Sequence, residues 1–375
     1  MREIDLLIIG AGPAGLSTAL HLLEASPDWA GRMLLLEKAA HPRHKLCGGG
    51  VTRLGLEILR DLGFSLPLPL PQARVDDIRL VYGARTVHVR SRPEVAIFHR
   101  SELDAYLACE TRRRGAVIHE NEPVQELQLG PDVVRVITNR ETYCARAVVG
   151  ADGSKGITRR ELARSESRIR VARALELIHD APESAPHFQE RFARFDFTPV
   201  GQALQGYFWD FPTRVGGQPA FNRGVYDSRM AQERPRARLP EVLQTSLEAL
   251  EAEKGRPDGH PIHWFSPRAR FSMPRLLLAG DAAGADPLFG EGIAPALAYG
   301  EAAAGMVLRA FQHGDFSFRD YRRRLFASRA GRYLLLRWAV AWWSYRLSGR
   351  PWFMHLMWSL GGLINRAWPE REALY

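Results

Sequence analysis

The chain has 375 residues, 46% hydrophobic and 25% charged, which excludes a largely disordered protein and allows one large or two interleaved domains. Its net charge of +9 would suit nucleic acid, a membrane surface or an anionic substrate, but the arginines are dispersed among apolar residues, which disfavours nucleic acid. Three widely spaced cysteines without a CxxC pair, and the lack of a signal-peptide pattern, predict a cytoplasmic location.

The N-terminal segment predicts a β-α-β unit. In "IDLLIIGAGPAGLSTALHLLEA" a buried strand is followed by apolar residues at helical spacing, and "RMLLLEKA" contains a second strand. Between the first strand and the helix lie Gly10, Gly12 and Gly15. This G-x-G-x-x-G pattern permits a tight turn, close approach of a pyrophosphate and tight helix–strand packing. Glu37 follows at the distance expected for a ribose contact, so the unit predicts dinucleotide binding.

The segment "HKLCGGGV", residues 44–51, follows the second strand and puts Cys47 beside three glycines. Such a backbone can approach a bound group closely or change conformation. The alternative is a small apolar residue in a turn. Further along, "FHRSELDAYLA" predicts an amphipathic helix that begins near Arg100, with Ser101 as its N-cap.

The middle of the chain predicts a sheet. Residues 75–98 include the alternating stretch "RTVHVR", and residues 170–265 contain short apolar runs between Gly/Pro turns. Within this region, "GYFWDFP" places Tyr207, Trp209 and Phe211 on one face of a strand. Those rings either fill a core or form the wall of a binding site.

Two later motifs complete a pattern. "AVVGADGS" is a strand followed by Asp152, and "LLLAGDAAGADPLFGEGIAPAL" is a strand followed by Gly280 and Asp281. With the N-terminal glycines they resemble FAD-dependent oxidoreductases of the aromatic-hydroxylase fold, over roughly residues 4–310. The pattern K-x-C-G-G from Lys45 to Gly49 and the stretch "GYFWDFP" are similar to the geranylgeranyl reductase family.

The resemblance implies an α/β fold with a Rossmann-like FAD-binding domain interleaved with a mixed β-sheet substrate domain, plus a C-terminal helical segment. The FAD-binding domain would comprise residues 1–74, 99–168 and 266–330. The substrate and catalytic domain would comprise residues 75–98 and 169–265, and the helical segment residues 331–375.

The predicted site residues follow from these motifs. Asp281 would bind a ribityl hydroxyl, Arg100 a diphosphate or ribityl oxygen, and the turn at Gly290 would aim N–H groups at the flavin. The predicted FAD-binding residues are Gly10, Gly12, Ala14, Gly15, Glu37, Lys38, Lys45, Cys47, Gly48, Gly49, Arg100, Asp152, Gly280, Asp281, Gly290, Gly292 and Ile293. The predicted catalytic residues are Cys47, Tyr207 and Trp209. No metal site is predicted, because the pairs His41/His44 and His260/His263 lack a completing ligand.

Three functions fit the sequence. The first is a reductase that saturates C=C bonds of a polyprenyl chain by hydride transfer from reduced flavin, with Cys47 or Tyr207 as proton donor. The second is a flavin monooxygenase or halogenase of the same fold, and the third a non-enzymatic isoprenoid-binding protein, which the intact flavin motifs disfavour. Without a second G-x-G-x-x-G unit, electrons would come from a transiently bound NAD(P)H or from a ferredoxin.

The C-terminal segment fits a hydrophobic substrate. Residues 331–368 contain six of the nine tryptophans, five arginines and no acidic residue. The apolar runs are interrupted by Arg337, Arg346, Arg350 and Pro351 before either reaches the roughly 20 residues needed to cross a bilayer. The segment therefore either lies in a membrane interface, at the inner face, or packs as a helical cap or dimer contact.

Overall fold

The computed structural model describes residues 1–162, 171–253 and 255–367. Two sequence predictions fall outside these ranges: the domain boundary between residues 168 and 169, and the part of the C-terminal segment from Trp368 onward. The predicted fold class is confirmed, since the described residues form an α/β fold with two sheets and C-terminal helices.

The strands, numbered along the chain, are β1 (Arg2–Ile9), β2 (Met33–Leu36), β3 (Gly50–Val51), β4 (Gln72–Tyr82), β5 (Arg85–Phe98), β6 (Val117–His119), β7 (Val124–Leu129), β8 (Val134–Thr138), β9 (Thr142–Gly150), β10 (Val171–Asp180), β11 (Phe192–Asp196), β12 (Gly206–Val215), β13 (Gln218–Asp227), β14 (Asp258–His263), β15 (Ser272–Met273) and β16 (Leu276–Leu278). The helices are α1 (Pro13–Ala25), α2 (Arg53–Asp61), α3 (Arg100–Arg113), α4 (Ile157–Leu162), α5 (Pro186–Gln189), α6 (Leu239–Glu248), α7 (Ile293–His313), α8 (Tyr321–Ala327), α9 (Arg329–Leu347) and α10 (Pro351–Ala367).

The first sheet has the strand order β15-β16-β9-β1-β2-β6, with β8 and β7 attached through β9. β1 pairs in parallel with β2 and β9, and β9 pairs in parallel with β16. All residues of β2 are buried, as expected for a parallel strand covered on both faces. The carboxyl ends of these strands meet at one edge, where Gly10, Glu37, Ala151 and Gly280 follow, and ligands of such sheets bind there.

The second sheet has the order β14-β10-β13-β12-β11-β4-β5-β3. Its strands pair antiparallel except for β11 with β4. The edge strand β3 comes from the glycine segment after Cys47, and its Gly50 pairs with Ile97. The Cys47 segment therefore leaves the first sheet and ends in the second.

Helices pack closely against one another beside the first sheet. α1 lies along α7 so closely that a Cβ on Gly300 would be 2.4 Å from the Cβ of Ser17. α3 begins at Arg100, with His99 in extended conformation as its N-cap residue and no side-chain cap. The prediction of Ser101 as N-cap is therefore wrong: helical geometry already starts at Arg100, whose side chain pairs with Asp104 one turn later.

The C-terminal helices pack on both halves of the molecule. α9 contacts α7 and α8, and α10 lies against β5. The indole N–H of Trp358 donates to the carbonyl of Leu80 at 3.0 Å, and its ring lies 5.2 Å from that of Phe197. Within the described ranges, no helix combines the length and apolar character needed to cross a bilayer.

Candidate active site

A cavity of about 860 Å³ lies between the two sheets. Every predicted site residue lines it except Gly15. A Cβ on Gly15 would lie 1.9 Å from the carbonyl oxygen of Gly10, so Gly15 serves the close packing of α1 on β1. Motifs that are far apart in the sequence therefore meet around one space.

The glycine turn after β1 is built for close backbone approach. Gly10 has φ of +103°, and a Cβ there would lie 2.3 Å from the carbonyl oxygen of Ala151. Gly12 is the N-cap residue of α1 and lines the cavity together with Ala14. Among the residues that the structure describes, no side chain caps this N-terminus and no acid occupies its first turn. Its N–H groups and positive dipole end suit a phosphate.

Two side chains, those of Glu37 and His41, contact the backbone of this turn. Glu37, which is 4% exposed, accepts a hydrogen bond at 3.0 Å from the backbone N–H of Ala11. The Nε2 atom of His41 lies 3.0 Å from the carbonyl oxygen of Ala11, and its Nδ1 lies 2.7 Å from the carboxylate of Glu120. His41, which the sequence suggested only as a candidate metal ligand, therefore supports the turn instead.

A second helix N-terminus opens into the same cavity. Gly290, with φ of +68°, precedes Gly292 and Ile293 at the start of α7, which again has no side-chain cap and no acid in its first turn within the described residues. Gly280 and Asp281 line the cavity next to it. Helices α1 and α7 therefore present two positive ends, and a long, anionic, extended cofactor fits between them.

A buried ion network secures the α7 turn. Thr52 donates to Glu291 at 2.7 Å, and Tyr333 donates to the other oxygen of the same carboxylate. Arg337 of α9 donates to Asp286 at 2.8 Å and lies 3.6 Å from Glu291. Burial raises the pKa of Glu291, although Arg337 and the two hydroxyl donors oppose the shift. A C-terminal arginine thus forms part of the cavity wall, a role that the sequence analysis missed.

The Cys47 segment lies against the aromatic strand. The Nδ2 atom of Asn222 donates to the carbonyl oxygen of Cys47 at 3.0 Å, and the N–H of Gly49 points at the Cys47 sulfur at 3.4 Å. A Cβ on Gly48 would lie 3.0 Å from the ring of Phe211. Glycine at that position lets the backbone pass directly over the rings.

Charged side chains flank Cys47. Nζ of Lys45 donates a hydrogen bond to Nε2 of His260 at 2.8 Å. Burial, followed by the charge of Lys45, lowers the pKa of His260 to about 3. The imidazole ring is therefore neutral and can accept this hydrogen bond. Burial lowers the pKa of Lys45, a shift that Asp281 opposes. Arg100 makes two hydrogen bonds to Asp104, at 2.8 and 2.9 Å, and lines the cavity together with Cys47.

The aromatic wall comes from β12 and its neighbours. Tyr207, Trp209 and Phe211 all line the cavity, and Phe195 packs 4.9 Å from the rings of Tyr207 and Phe211. The indole N–H of Trp209 donates to Oδ1 of Asn222 at 2.7 Å. One residue, Asn222, therefore fixes both the Cys47 segment and a ring of the wall.

The structure argues against Tyr207 as a proton donor. Its hydroxyl donates to the carbonyl oxygen of Phe289, and burial raises its pKa well above the usual value near 10. A buried phenol whose proton is already held by a carbonyl is a poor acid at neutral pH. Tyr207 can still present its ring to the cavity.

Glu176, which was not among the predicted site residues, lies on β10 and is 5% exposed. Its carboxyl group is next to the backbone of Cys47 and the side chain of Asn222, and burial raises its pKa to about 7. A signal was available: Glu176 is an acid between Leu175 and Leu177 in a largely apolar strand.

Residues 3–294 match the model of the FAD binding domain family. A digeranylgeranylglycerophospholipid reductase from Methanosphaera stadtmanae is 27% identical over 358 residues, covering 84% of this chain and 81% of that protein. The solved structure of a geranylgeranyl bacteriochlorophyll reductase-like protein from Thermoplasma acidophilum has a TM-score of 0.78 at 20% identity, over 100% of this chain and 94% of that one. A mutant of the halogenase PltM, solved in complex with FAD, has a TM-score of 0.72 at 18% identity, over 97% and 79%. Both structures share the fold.

Proposed function

Since this chain belongs to the FAD binding domain family and is an FAD-dependent oxidoreductase, we propose that it saturates C=C bonds of a polyprenyl chain of the geranylgeranyl type. The head group would be a lipid, quinone or pigment precursor. The observation that carries this proposal is the wall of Tyr207, Trp209 and Phe211 facing the Cys47 segment, in a cavity into which two helix N-termini also open. The reductase name of the M. stadtmanae relative agrees with it.

The glycine-rich end of the cavity fits FAD. Gly12 and Ala14 at the start of α1 would hold the pyrophosphate, and Glu37 and Lys38 would hold the ribose end. Arg100, Asp152 and Asp281 would face the linker, and the segment 290–293 the flavin ring. Reduced FAD would supply the hydride. Its electrons would come from NAD(P)H or a ferredoxin.

The aromatic end fits an apolar chain. An isolated alkene is neither polarised nor acidic, so its saturation requires a proton at one carbon, and the other carbon develops positive charge and receives the hydride. The faces of Trp209 and Tyr207 can stabilise that charge in a site that excludes water. The thiol of Cys47 lines the same space and would donate the proton, forming the second C–H bond as its S–H bond breaks.

We extend the proposal to substrate entry from a membrane. Both α9 and α10 carry exposed apolar residues, with exposures between 41% and 66% at Leu336, Val340, Trp343, Trp352, Leu356, Met357 and Leu360. Exposed Arg332 and Arg350 accompany them, and residues 331–367 contain no acid. Tryptophan, leucine and arginine in this arrangement suit an interface with anionic lipid. The same α10 contacts Leu80, which lines the cavity.

One anaerobic experiment tests the reaction. The holoenzyme is reduced with dithionite, which makes the physiological donor irrelevant, and is mixed with geranylgeranyl compounds of different head groups. We expect the flavin absorbance to return without oxygen and mass spectrometry to show a product heavier by two hydrogens per bond. Substrate that leaves the flavin reduced, but stimulates oxygen uptake and yields an oxygenated product, would overturn the proposal in favour of a monooxygenase.

Removing the thiol tests the role of Cys47. We expect Cys47→Ala to bind FAD normally and to reduce the alkene about a hundredfold more slowly, since general acids contribute roughly that factor or more. Cys109→Ala and Cys144→Ala are the matched controls. Equal losses in all three variants would reduce Cys47 to a packing role.

Flotation with liposomes tests the membrane surface. We expect the protein to float with vesicles that contain anionic lipid, and the double variant Trp343→Ser, Trp352→Ser to stay in the soluble fraction while retaining FAD. Wild-type protein that never floats would refute membrane entry.

A further inference from the structure

An apolar row on the second sheet continues the cavity away from the Cys47 segment. Aliphatic side chains of β4 and β5 form this row and line the cavity: Val75, Ile78, Leu80, Val95 and Ile97. Ile97 pairs with Gly50, so one end of the row adjoins the Cys47 segment. Leu80 marks the other end, about 15 Å from Val75 at the usual rise of a strand. The row therefore offers an apolar surface to several consecutive isoprene units of an extended chain.

Three rings form a second layer behind Leu80 and the aromatic wall. Trp358 of α10 has its ring centroid 5.2 Å from that of Phe197 and 5.4 Å from that of Tyr82. The ring of Phe197 lies 5.6 Å from that of Tyr207, which lines the cavity. We call Tyr82, Phe197 and Trp358 the end layer, because they stand behind the wall at the Leu80 end of the row.

Helix α10 crosses the second sheet at this end of the row. The indole N–H of Trp358 donates to the carbonyl oxygen of Leu80 at 3.0 Å. Val87 is the strand partner of Leu80, and a Cβ on Gly361 would lie 3.0 Å from Cγ2 of Val87. Contact this close leaves no space for a hydrocarbon chain between α10 and β5 at this point. The helix therefore closes the cavity at the Leu80 end.

Trp358 has both the size and the chemistry for this position. Its ring fills the space between Tyr82 and Phe197, and its N–H pairs a strand carbonyl that would otherwise lack a partner beside an apolar cavity. The end layer thus presents rings, and no free polar group of Trp358, to whatever reaches Leu80. Such a surface suits the terminal methyl groups of an isoprenoid.

We propose that Trp358 determines chain-length specificity: with Tyr82 and Phe197 it closes the apolar end of the cavity and limits the length of the prenyl chain that binds. A chain whose reacting bond lies at the Cys47 segment would extend along the row and end against this layer. The inference rests on the proposed function for the identity of the chain. The limit itself applies to any bound apolar chain, whatever the route by which it enters.

Binding of saturated alcohols to the oxidised holoenzyme tests the limit without any reaction. The alcohols have the carbon skeletons of farnesol, geranylgeraniol and geranylfarnesol, and isothermal titration calorimetry gives each dissociation constant. Longer chains bury more apolar surface, so wild-type affinity should rise from the first skeleton to the second. It should not rise further for the third, whose extra isoprene unit has no place beyond Leu80.

Trp358→Ala should move the limit to the longer skeleton. We expect its affinity for the geranylfarnesol skeleton to be about tenfold above that of the wild type, since burying even a few more methylene groups contributes that much. Ser359→Ala is the matched control. Ser359 accepts a hydrogen bond from Arg85 at 3.0 Å, so its loss loosens α10 without removing a ring from the end layer. This variant should keep the wild-type dependence on length.

Three results would overturn the proposal. Wild-type affinity that rises at every step of the series would show that this end of the cavity is open. An unchanged dependence on length in Trp358→Ala, or the same shift in Ser359→Ala, would remove the specific role of Trp358. If Trp358→Ala does not fold, Trp358→Leu, which keeps an apolar side chain, should show the same shift to a smaller extent, and no shift there refutes the role. The expected length limit without reduction of geranylgeranyl compounds would reject the proposed function alone.

Discussion

The two ends of the cavity are built from different parts of the polypeptide. At the glycine-rich end, backbone groups surround the space: the turn at Gly10, the start of α1 and the start of α7. At the aromatic end, side chains form the wall, with Tyr207, Trp209 and Phe211 held by an antiparallel sheet. The first end fits a cofactor whose charged groups are fixed, whereas the second fits a chain that must enter, react and leave.

The two ends of the cavity also differ in how well they tolerate amino-acid substitutions. A backbone turn of positive φ that touches a neighbouring carbonyl has almost no room for another residue. A wall of rings can exchange one apolar side chain for another at modest cost. Substitutions at the first end should therefore remove the cofactor, and substitutions at the second should alter turnover while the protein stays yellow.

The largest effect is expected from Gly10→Ala. Its Cβ would lie 2.3 Å from the carbonyl oxygen of Ala151, at φ of +103°, so the turn must move away from the cofactor position. We expect the variant to purify without FAD, as measured by flavin absorbance per protein. Gly305→Ala is the control: apart from its chain neighbours and the adjacent backbone of α7, no described atom would lie within 4 Å of its Cβ, and alanine favours its helix by up to about 1 kcal/mol. A yellow Gly10→Ala variant would contradict the assignment of this end.

Arg337→Met should destabilise the fold next most strongly. Arg337 is 7% exposed and pairs with the fully buried Asp286, so its removal leaves an uncompensated buried charge. We expect a loss of about 3–5 kcal/mol in the free energy of unfolding, measured by denaturant titration of the holoenzyme. Arg332→Met, one turn earlier on the exposed side of α9, should change it by less than about 0.5 kcal/mol. Equal effects would mean that α9 does not support the cavity.

Gly224→Ala is the counterpart of Gly10→Ala at the aromatic end. Its Cβ would lie 2.2 Å from Cζ2 of Trp209 and 2.2 Å from the carbonyl oxygen of Leu175, so the indole of Trp209 on β12 must move away from Gly224. We expect FAD to be retained and reoxidation by substrate to slow about tenfold, with overpacking costing about 1–3 kcal/mol. Loss of FAD in this variant would show that the two ends are not independent.

The smallest effect is a pH dependence of stability. The pKa of Glu176 is raised from 4.5 to about 7 on folding, so the native protein binds a proton that the unfolded chain releases. Its contribution is therefore favourable at low pH and is lost as pH rises from 4.5 through 7. Compared with the wild type, Glu176→Gln should gain a few degrees in Tm at pH 8 relative to pH 5. A Tm difference that is the same at both pH values would contradict this.

The glycine-rich end was predictable from the sequence because its binding residues are close together along the chain, at the spacing of a known motif. Gly10, Gly12 and Glu37 belong to one β-α-β unit, and a short stretch of chain fixes their geometry. The aromatic end was predictable only in part: alternation put three rings on one face, but it could not show that Asn222 joins Trp209 to Cys47. That junction depends on the pairing of β12 with β13 and on the path of the Cys47 segment between sheets.

Arg337 and Glu176 were missed for a similar reason. Arg337 was interpreted as an interruption in an apolar run, because its partner Asp286 lies 51 residues earlier and nothing local marks the pair. Ser101 failed as an N-cap because the N-cap residue is His99, two residues before the predicted position. Local rules identify what a segment prefers, while long-range contacts decide which charged side chains are buried.

The contacts of Glu291 also bear on how the molecule is made. Its carboxylate receives a hydrogen bond from Thr52, which precedes it by 239 residues, and another from Tyr333 of α9. During synthesis the first β-α-β unit leaves the ribosome long before α9 exists, so it meets the solvent as half of a binding site. We expect flavin to be captured only after translation of α9, and an expression host short of riboflavin to accumulate full-length apoprotein rather than truncated fragments.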